Sequence, residues 1–265
     1  MPVRNDQDSP AMFAEERKNQ ILELLDTNGK IVVPELCDIF DVSASTIRND
    51  LRDLENAGKL KRTHGGAISS TKMNHELLPD IKGTKMIKQK KEIAFAALNL
   101  IEDGDTIAIM SGTTTFELIK LLTNKKDLTV ILNDIHFAAW LEENTDFTLI
   151  ILAGMLRNKY HSVYSPVRNE LLDLINIDKV FFSCNGFSIS KGVTTPYLES
   201  ALSIRQVLEA SCSRCLMSDS SKFDAVTFSK IADLNEITLL ITDDCLTDED
   251  RAQLQQYTEV ITAPK

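Results

Sequence analysis

Apolar residues recur along this chain with two periods, and the change of period divides it. From Phe13 to Thr27 the spacing is helical: Phe13, Ile21, Leu24 and Leu25 form a stripe, Glu15 and Glu16 favour the start, and Asn28-Gly29 ends the helix. Ile31-Val32-Val33 is a short β-branched run, and Pro34 suits the first turn of a helix through Phe40. After a tight connection at Asp41-Val42, Ser43 is an N-cap for a helix that runs to Ala57 and stops at Gly58. Lys59–Thr63 and Ala67–Ser69 flank His64-Gly65-Gly66 as a small hairpin. Beyond residue 75 a helical stretch, Ile87–Glu102, precedes a series of short apolar runs: Thr106–Met110, Leu128–Leu132, Phe147–Leu152, Lys179–Cys184, Cys215–Ser218 and Leu239–Thr242. Amphipathic stretches such as Thr115–Leu122 and Ser200–Ala210 lie between several of them.

Three helices followed by a hairpin outline a winged helix-turn-helix. Short apolar strands alternating with helices imply a mostly parallel sheet covered on both faces. The expected fold class is therefore α/β, with a small winged helix-turn-helix before a larger α/β domain. The expected organisation is a disordered tail over 1–12, a DNA-binding domain over 13–70, a linker over 71–90 and a sensing domain over 91–265.

Composition narrows the class. The chain has 265 residues, 43% hydrophobic and 26% charged, enough for a small and a medium domain. No apolar run approaches the ~20 residues needed to cross a bilayer. Met1–Pro10 lacks a signal-peptide core, so a cytoplasmic protein with no membrane partner is expected. Five scattered cysteines argue for reduced thiols, and Cys212-x-x-Cys215 has no second pair or His cluster to make a metal site. No metal and no cofactor are expected.

The net charge of −10 argues against nonspecific coating of nucleic acid and sends attention to where the bases sit. From Ser45 to Lys72 there are six Lys/Arg and three Asp/Glu, a local charge of 6 − 3 = +3. Advancing about 100° per residue along the helix after Ser43 puts Ile47, Leu51 and Leu54 on one stripe. Ser45, Asn49, Arg52 and Asn56 fall opposite, Arg48 on one flank, and Asp50 and Asp53 on the other. Asn and Arg on an outward face can read adenine and guanine edges in a major groove. Lys59, Lys61, Arg62 and His64 cluster in the hairpin, where a wing meets phosphates. The expected DNA contacts are Ser45, Thr46, Arg48, Asn49, Arg52, Lys61, Arg62 and His64.

In the larger domain Ser111-Gly112-Thr113-Thr114-Thr115 follows a strand and opens a helix. Such a loop presents free N–H groups and a positive dipole end, which suits phosphate; it lacks the Gly-Lys-Ser/Thr ending of a Walker A loop. Asn185-Gly186 and Asp219-Ser220-Ser221-Lys222-Phe223 also follow strand ends, where ligands bind in open α/β sheets.

On these residues a resemblance becomes specific. Arg17, Ile21, Leu25, Ser43, Thr46, Ile47, Arg48, Asn49, Asp50 and Leu51 match in spacing the N-terminal signature of the DeoR-type bacterial regulators. Arg62-Thr63-His64-Gly65-Gly66-Ala67 resembles that family's wing. Gly104-Asp105-Thr106, the Ser-Gly-Thr-Thr loop, Gly192-Val193-Thr194-Thr195 and Asp219–Phe223 resemble landmarks of its sensor domain, which is similar in fold to ribose-5-phosphate isomerase and CoA transferase relatives. The chain differs from the family's usual pattern at Asn49, Met110, Leu132-Asn133-Asp134, Ala153 and Asn185. The resemblance implies a repressor of carbohydrate catabolism genes that binds an operator in double-stranded DNA. It also implies control by a phosphorylated sugar or related metabolite, and a homo-oligomer. The effector-binding residues expected are Lys91, Ser111, Gly112, Thr113, Thr114, Thr115, Asn185 and Lys222. The rival readings are a sugar-phosphate isomerase and a constitutive DNA-binding protein. Isomerisation needs a positioned base, Asn185 cannot serve as one, and Glu199, Lys90 and Lys91 are too thin a set, so no catalytic residue is expected.

Overall fold

The computed structural model describes residues 13–28, 30–57, 59–63, 65–69, 79–165 and 167–264. The expected tail over 1–12 lies outside them, as do residue 70 and residues 71–78 of the expected linker. The chain divides into two compact units, Met1–His75 and Glu76–Lys265.

The first unit runs α1 (Ala14–Asn28), β1 (Lys30–Val32), α2 (Val33–Phe40), α3 (Ala44–Asn56), β2 (Leu60–Thr63) and β3 (Gly66–Ser69). Asp41, held left-handed at φ 50°, closes α2 by donating its N–H to the Cys37 carbonyl. Two residues later the extended Ser43 caps α3, its Oγ accepting from the Thr46 N–H at 3.2 Å. The strands pair antiparallel in the order β1-β3-β2, so the β-branched run at residue 31 completes the wing as a third strand. Gly66 makes this possible, because a Cβ there would lie 1.8 Å from the Ile31 carbonyl oxygen. Ile21, Leu25, Leu36, Ile47, Leu51 and Leu60 share the core.

Asp50, expected on a flank of α3, is buried instead. Arg17 of α1 donates to it through Nε (2.6 Å) and Nη2 (3.3 Å), and both side chains are almost wholly enclosed. A stripe of three apolar residues is too narrow to fill a three-helix core, and the ion pair completes it.

The second unit begins with α4 (Pro79–Thr84) and α5 (Ile87–Leu98). The linker expected to reach residue 90 is thus largely helical from Pro79 onward. Lys90, within its expected span, is buried and belongs to the packed unit. There follow β4 (Thr106–Ile109), α6 (Thr113–Leu121), β5 (Thr129–Leu132), α7 (Ile135–Asn144), β6 (Thr148–Ile151), β7 (Met155–Leu156) and β8 (Val163–Tyr164). The remainder is β9 (Ile177–Phe182), β10 (Gly186–Ser188), β11 (Gly192–Thr195), α8 (Leu198–Glu209), β12 (Ser211–Met217), β13 (Ser229–Ala232), β14 (Leu239–Thr242), α9 (Asp248–Leu254) and β15 (Glu259–Thr262).

Seven strands form one parallel sheet in the order β15-β14-β12-β9-β4-β5-β6. Strand alternation sends Ile107, Ile109, Val130, Leu132, Phe181 and Met217 to the core shared with Ile93, Ala97 and Leu118. Ala108, Met110, Ile131, Val180, Phe182 and Leu216 face the other core, with Ile204 and Val207 of α8. The same alternation puts Cys212 and Cys215, three apart in β12, on opposite faces, one exposed and one buried. A small antiparallel sheet, β10-β11-β13, and the hairpin β7-β8 complete the unit.

Replacing Asp50 with Ala removes the buried carboxylate to which the enclosed Arg17 guanidinium donates. The first unit is expected to lose about 3–5 kcal/mol in urea denaturation of the full chain. A loss below about 1 kcal/mol, the usual value of an exposed pair, would show the pair to be peripheral.

Candidate functional site

The outward face of α3 is built as its periodicity requires. Ser45, Arg48, Asn49, Arg52 and Asn56 are exposed, while Ile47, Leu51 and Leu54 are buried. Arg52 Nη2 donates to Asn49 Oδ1 at 2.9 Å, which orients the amide so that its Nδ2 points away from the arginine. At the helix start the Ser43 hydroxyl lies 2.7 Å from that of Ser45 and 2.9 Å from that of Thr46. The wing is tied to this helix: Glu55 of α3 accepts from Arg62 Nε and from the Arg62 N–H, both at 2.8 Å. Arg62, expected to meet phosphate, therefore also braces the wing. Lys18 of α1 engages Asp53 at 3.0 Å and offsets an acid beside the reading face. Lys61 contributes its backbone to β2; its side chain and all of His64 lie outside the described residues.

The second candidate is a cavity of about 570 Å³ in the larger unit. Its position follows from topology. β5 and β6 lie to one side of β4, while the next strand of the sheet, β9, lies to the other. The strand order reverses between β4 and β9, and a crevice opens at their carboxyl ends. There the loop after β4 meets the loop after β9 so closely that a Cβ on Gly112 would sit 2.2 Å from Ser183 Oγ.

Ser111, Gly112 and Thr113 line the cavity with Ser183, Asn185 and Thr195. Other expected residues have other places. Thr115 is fully enclosed and its hydroxyl donates to the carbonyls of Met110 (2.8 Å) and Gly112 (2.9 Å), so it pins the loop. Thr114 is buried outside the lining. Lys91 points to solvent, and it is Lys90 that turns inward. Lys222, half-buried after β12, stands outside the lining but within electrostatic reach of Lys90.

Several contributors escape sequence reasoning. Asn133, buried after β5, accepts from the Ser111 N–H at 2.7 Å and donates to the Val163 carbonyl at 3.3 Å, locking the loop to β8. Asp134 caps α7 through the His136 and Phe137 N–H groups. Burial pushes the Asp134 carboxyl up, against the lowering pull of hydrogen bonds from Ser111 and those amides. Phe116, Phe137, His136 and His161 form an aromatic wall, with Phe116 4.7 Å from His136 and 5.3 Å from Phe137 between ring centroids. Lys82 comes from α4.

Lys90 is the most informative. Its Nζ donates to the Lys82 carbonyl at 2.5 Å, and among the described residues no carboxylate pairs with it. Burial pushes its pKa down to about 8; Lys82 and Lys222 lower it further, and Asp219 and Glu117 act in the opposite sense. A buried ammonium with donors to spare and no counter-ion favours an anion.

One cluster among the described residues, Asp243, Asp244 and Cys245, has metal-donor composition. The Asp243 carboxylate accepts from the Ser220 N–H (2.8 Å) and the Cys245 N–H (2.9 Å), which accounts for it as a turn brace.

Residues 17–73 match the DeoR-like helix-turn-helix domain, and residues 85–244 the DeoR C terminal sensor domain. An uncharacterized HTH-type transcriptional regulator of Bacillus subtilis, YulB, is 34% identical over 252 residues, 95% of this chain and 97% of that one. The lactose phosphotransferase system repressor of Streptococcus mutans is 34% identical over 253 residues, 94% of this chain and 100% of that one. A D-ribose-5-phosphate isomerase solved with phospho-erythronic acid is a distant structural neighbour, with TM-score 0.40 and 17% identity over 52% of this chain and 54% of that one. Matched across both units, with its reading helix and its sensor domain in the same order, the chain belongs to the DeoR family of helix-turn-helix transcriptional regulators.

Proposed function

We propose that the chain is a repressor of carbohydrate catabolism genes whose hold on its operator is released by a phosphorylated sugar or related anion bound in the second unit. The carrying observation is the convergence at the β4–β9 reversal of two things. One is an anion cradle, Ser111–Thr113 with the start of α6; the other is the buried Lys90, which stands outside the lining and is tied to the carbonyl of Lys82 in the cavity wall. Free N–H groups, the helix dipole and an ammonium all select negative charge. The aromatic wall suits the carbon face of a sugar. A relative named as a lactose phosphotransferase system repressor supports the carbohydrate assignment.

Isomerase chemistry fits the site poorly. Of the carboxylates lining the cavity, Glu117 is paired with Lys120 at 2.5 Å and Asp134 is committed to the α7 cap. Glu199 is not among the lining residues. Neither lining carboxylate is therefore free to serve as the base that isomerisation needs. As an operator reader the chain acts as a homo-oligomer, one α3 to each half-site, and the effector favours a state whose half-site spacing no longer fits.

Arg52→Ala removes a base-reading group from an exposed position. Operator affinity in an electrophoretic shift assay is expected to fall by about 10- to 100-fold, the worth of one good base contact, while the melting temperature stays within about 2 °C. An unchanged affinity would take Arg52 off the interface.

Thr113→Glu puts a carboxylate where the anion sits. Release of the operator by a panel of sugar phosphates is expected to disappear while operator binding survives. Retention of the response would place the ligand elsewhere.

The titration of Lys90 gives a pH signature. A phosphate monoester is a dianion above about pH 6, and Lys90 loses its charge above about 8. Anion affinity, followed by calorimetry, is expected to rise through pH 6 and fall through pH 8, with the upper limb flattened in Lys90→Met. Stability without ligand runs the opposite way. The native pKa lies below the ordinary 10.5, so the unfolded chain binds more protons between about 8 and 10.5 and the native state gains stability as pH rises through that window.

A further inference from the structure

Strand β6 ends the seven-stranded sheet at one side, with β5 as its neighbour in the ladder. In a parallel ladder, alternate residues turn their backbone groups toward the neighbouring strand. Thr148 and Leu152 donate to the Leu128 and Leu132 carbonyls at 3.1 and 2.8 Å. The N–H and C=O groups of Leu149 and Ile151 therefore point the other way, out of the sheet edge. Such an edge is a template for another strand, and natural edges are blunted by a lysine, a proline or a bulge. Thr148-Leu149-Ile150-Ile151 has none of these. Both cores lie open beside it: Leu149 is half-buried with Trp140 and Phe147 on one face, and Ile150 is half-buried on the other. Ile151, and Met155 and Leu156 of β7, are 51%, 60% and 54% exposed. The opposite edge differs, because β15 starts at Glu259 and carries no large apolar residue of comparable exposure.

We infer that β6 is the seam between two copies of this chain, pairing antiparallel with the β6 of the second copy across a two-fold axis at Ile150. The inference deepens the homo-oligomeric reading proposed above and rests on it. Charge selects both the occupant and its direction. Glu142, Glu143 and Asp146 stand exposed at the entrance to β6, whereas residues 147–165 hold Arg157 and Lys159 and no acid. An antiparallel second copy sets each acidic entrance beside the other's basic exit; a parallel neighbour would set like charge against like. An axis at Ile150 puts Leu149 of one copy opposite Ile151 of the other, on both sides of the axis. Each such pair exchanges two backbone hydrogen bonds, so every outward group of Leu149 and Ile151 finds a partner. Ile151 then covers the open core beside Leu149 and Trp140, and the two sheets become one. A patch that matches itself in shape, hydrogen bonding and charge is what a two-fold contact requires.

Light scattering after gel filtration of the full-length protein tests this. The unmodified chain is expected to run as a dimer or a larger even assembly. Ile151→Lys sets a charge on the exposed edge and is expected to weaken the assembly by about 30-fold or more, the loss of one central anchor, with unchanged far-ultraviolet circular dichroism. Register is read by oxidation in a background with Cys37, Cys212 and Cys245 changed to Ser. An axis at Ile150 brings the two Cα atoms of that residue to about 4.5 Å, within reach of a disulfide, so Ile150→Cys is expected to cross-link to itself roughly tenfold faster than Ile151→Cys. An assembly that survives Ile151→Lys places the seam elsewhere and refutes the inference while the homo-oligomer stands. Cross-linking at 151 as fast as at 150 also refutes it. An unmodified chain that runs as a monomer overturns the homo-oligomeric reading and the seam with it.

Discussion

A parallel sheet must be covered on both faces, and one whose strand order reverses leaves a gap where the covering elements diverge. That constraint governs the larger unit. β4 runs through the middle of seven strands, its side chains divided between two cores, with β5 on one side and β9 on the other. The loops leaving β4 and β9 cannot both be buried under one helix, and the cradle lies between them. Its small residues are consequences of the same crowding: Gly112 stands where any side chain would strike Ser183.

Rigidity at such a gap has to be built from hydrogen bonds, because apolar packing ends at the strand termini. Thr115 holds two carbonyls of the loop, Asn133 holds the Ser111 N–H and β8 together, and Asp134 secures α7 beside them. These groups are spent on the scaffold, which leaves the N–H groups just after Gly112 without equivalent partners. The smaller unit follows the same economy. Arg17 and Asp50 are consumed inside, Lys18 and Glu55 hold Asp53 and Arg62, and Ser45, Asn49 and Arg52 remain outward.

Much of this was legible in the sequence because it rests on local rules. Ser43 as a cap, Pro34 in a first turn, the 47–51–54 stripe and the six apolar strands of the parallel sheet are read from spacing and side-chain shape alone, with ends that shift by a residue or two except at β12, which starts four residues earlier, at Ser211. The strands of β10, β11 and β13 were not legible, since Gly186, Ser188, Gly192 and Thr194–Thr195 carry no apolar alternation and depend on neighbours distant in sequence. β15 was missed because an edge strand that starts at Glu259 presents half-exposed residues. Asp50 and Lys90 escaped for one reason: charge predicts exposure on average, and only the fold reveals the cavity or partner that makes burial tolerable. The choice between Lys90 and Lys91 was a question of helical phase. α5 has apolar residues at 93, 94, 96, 97 and 98, and Lys90 lies one turn before the first two of these, whereas Lys91 falls toward the exposed Phe95.

The operator is an anion, as is the effector proposed above, and the chain itself carries −10. Long-range attraction cannot therefore bring either one in, and at physiological ionic strength a field decays over about 8 Å in any case. Selection has to come from short-range sites in which cations are concentrated: a local +3 around the reading helix, and five lysines without an acid between Lys82 and Lys91. Such sites couple through geometry. If an anion raises the free energy of the operator-bound state by about 1–3 kcal/mol, operator DNA must lower the affinity for that anion by the same factor. A reciprocal effect of that size requires that some element near the cradle have two positions of similar energy.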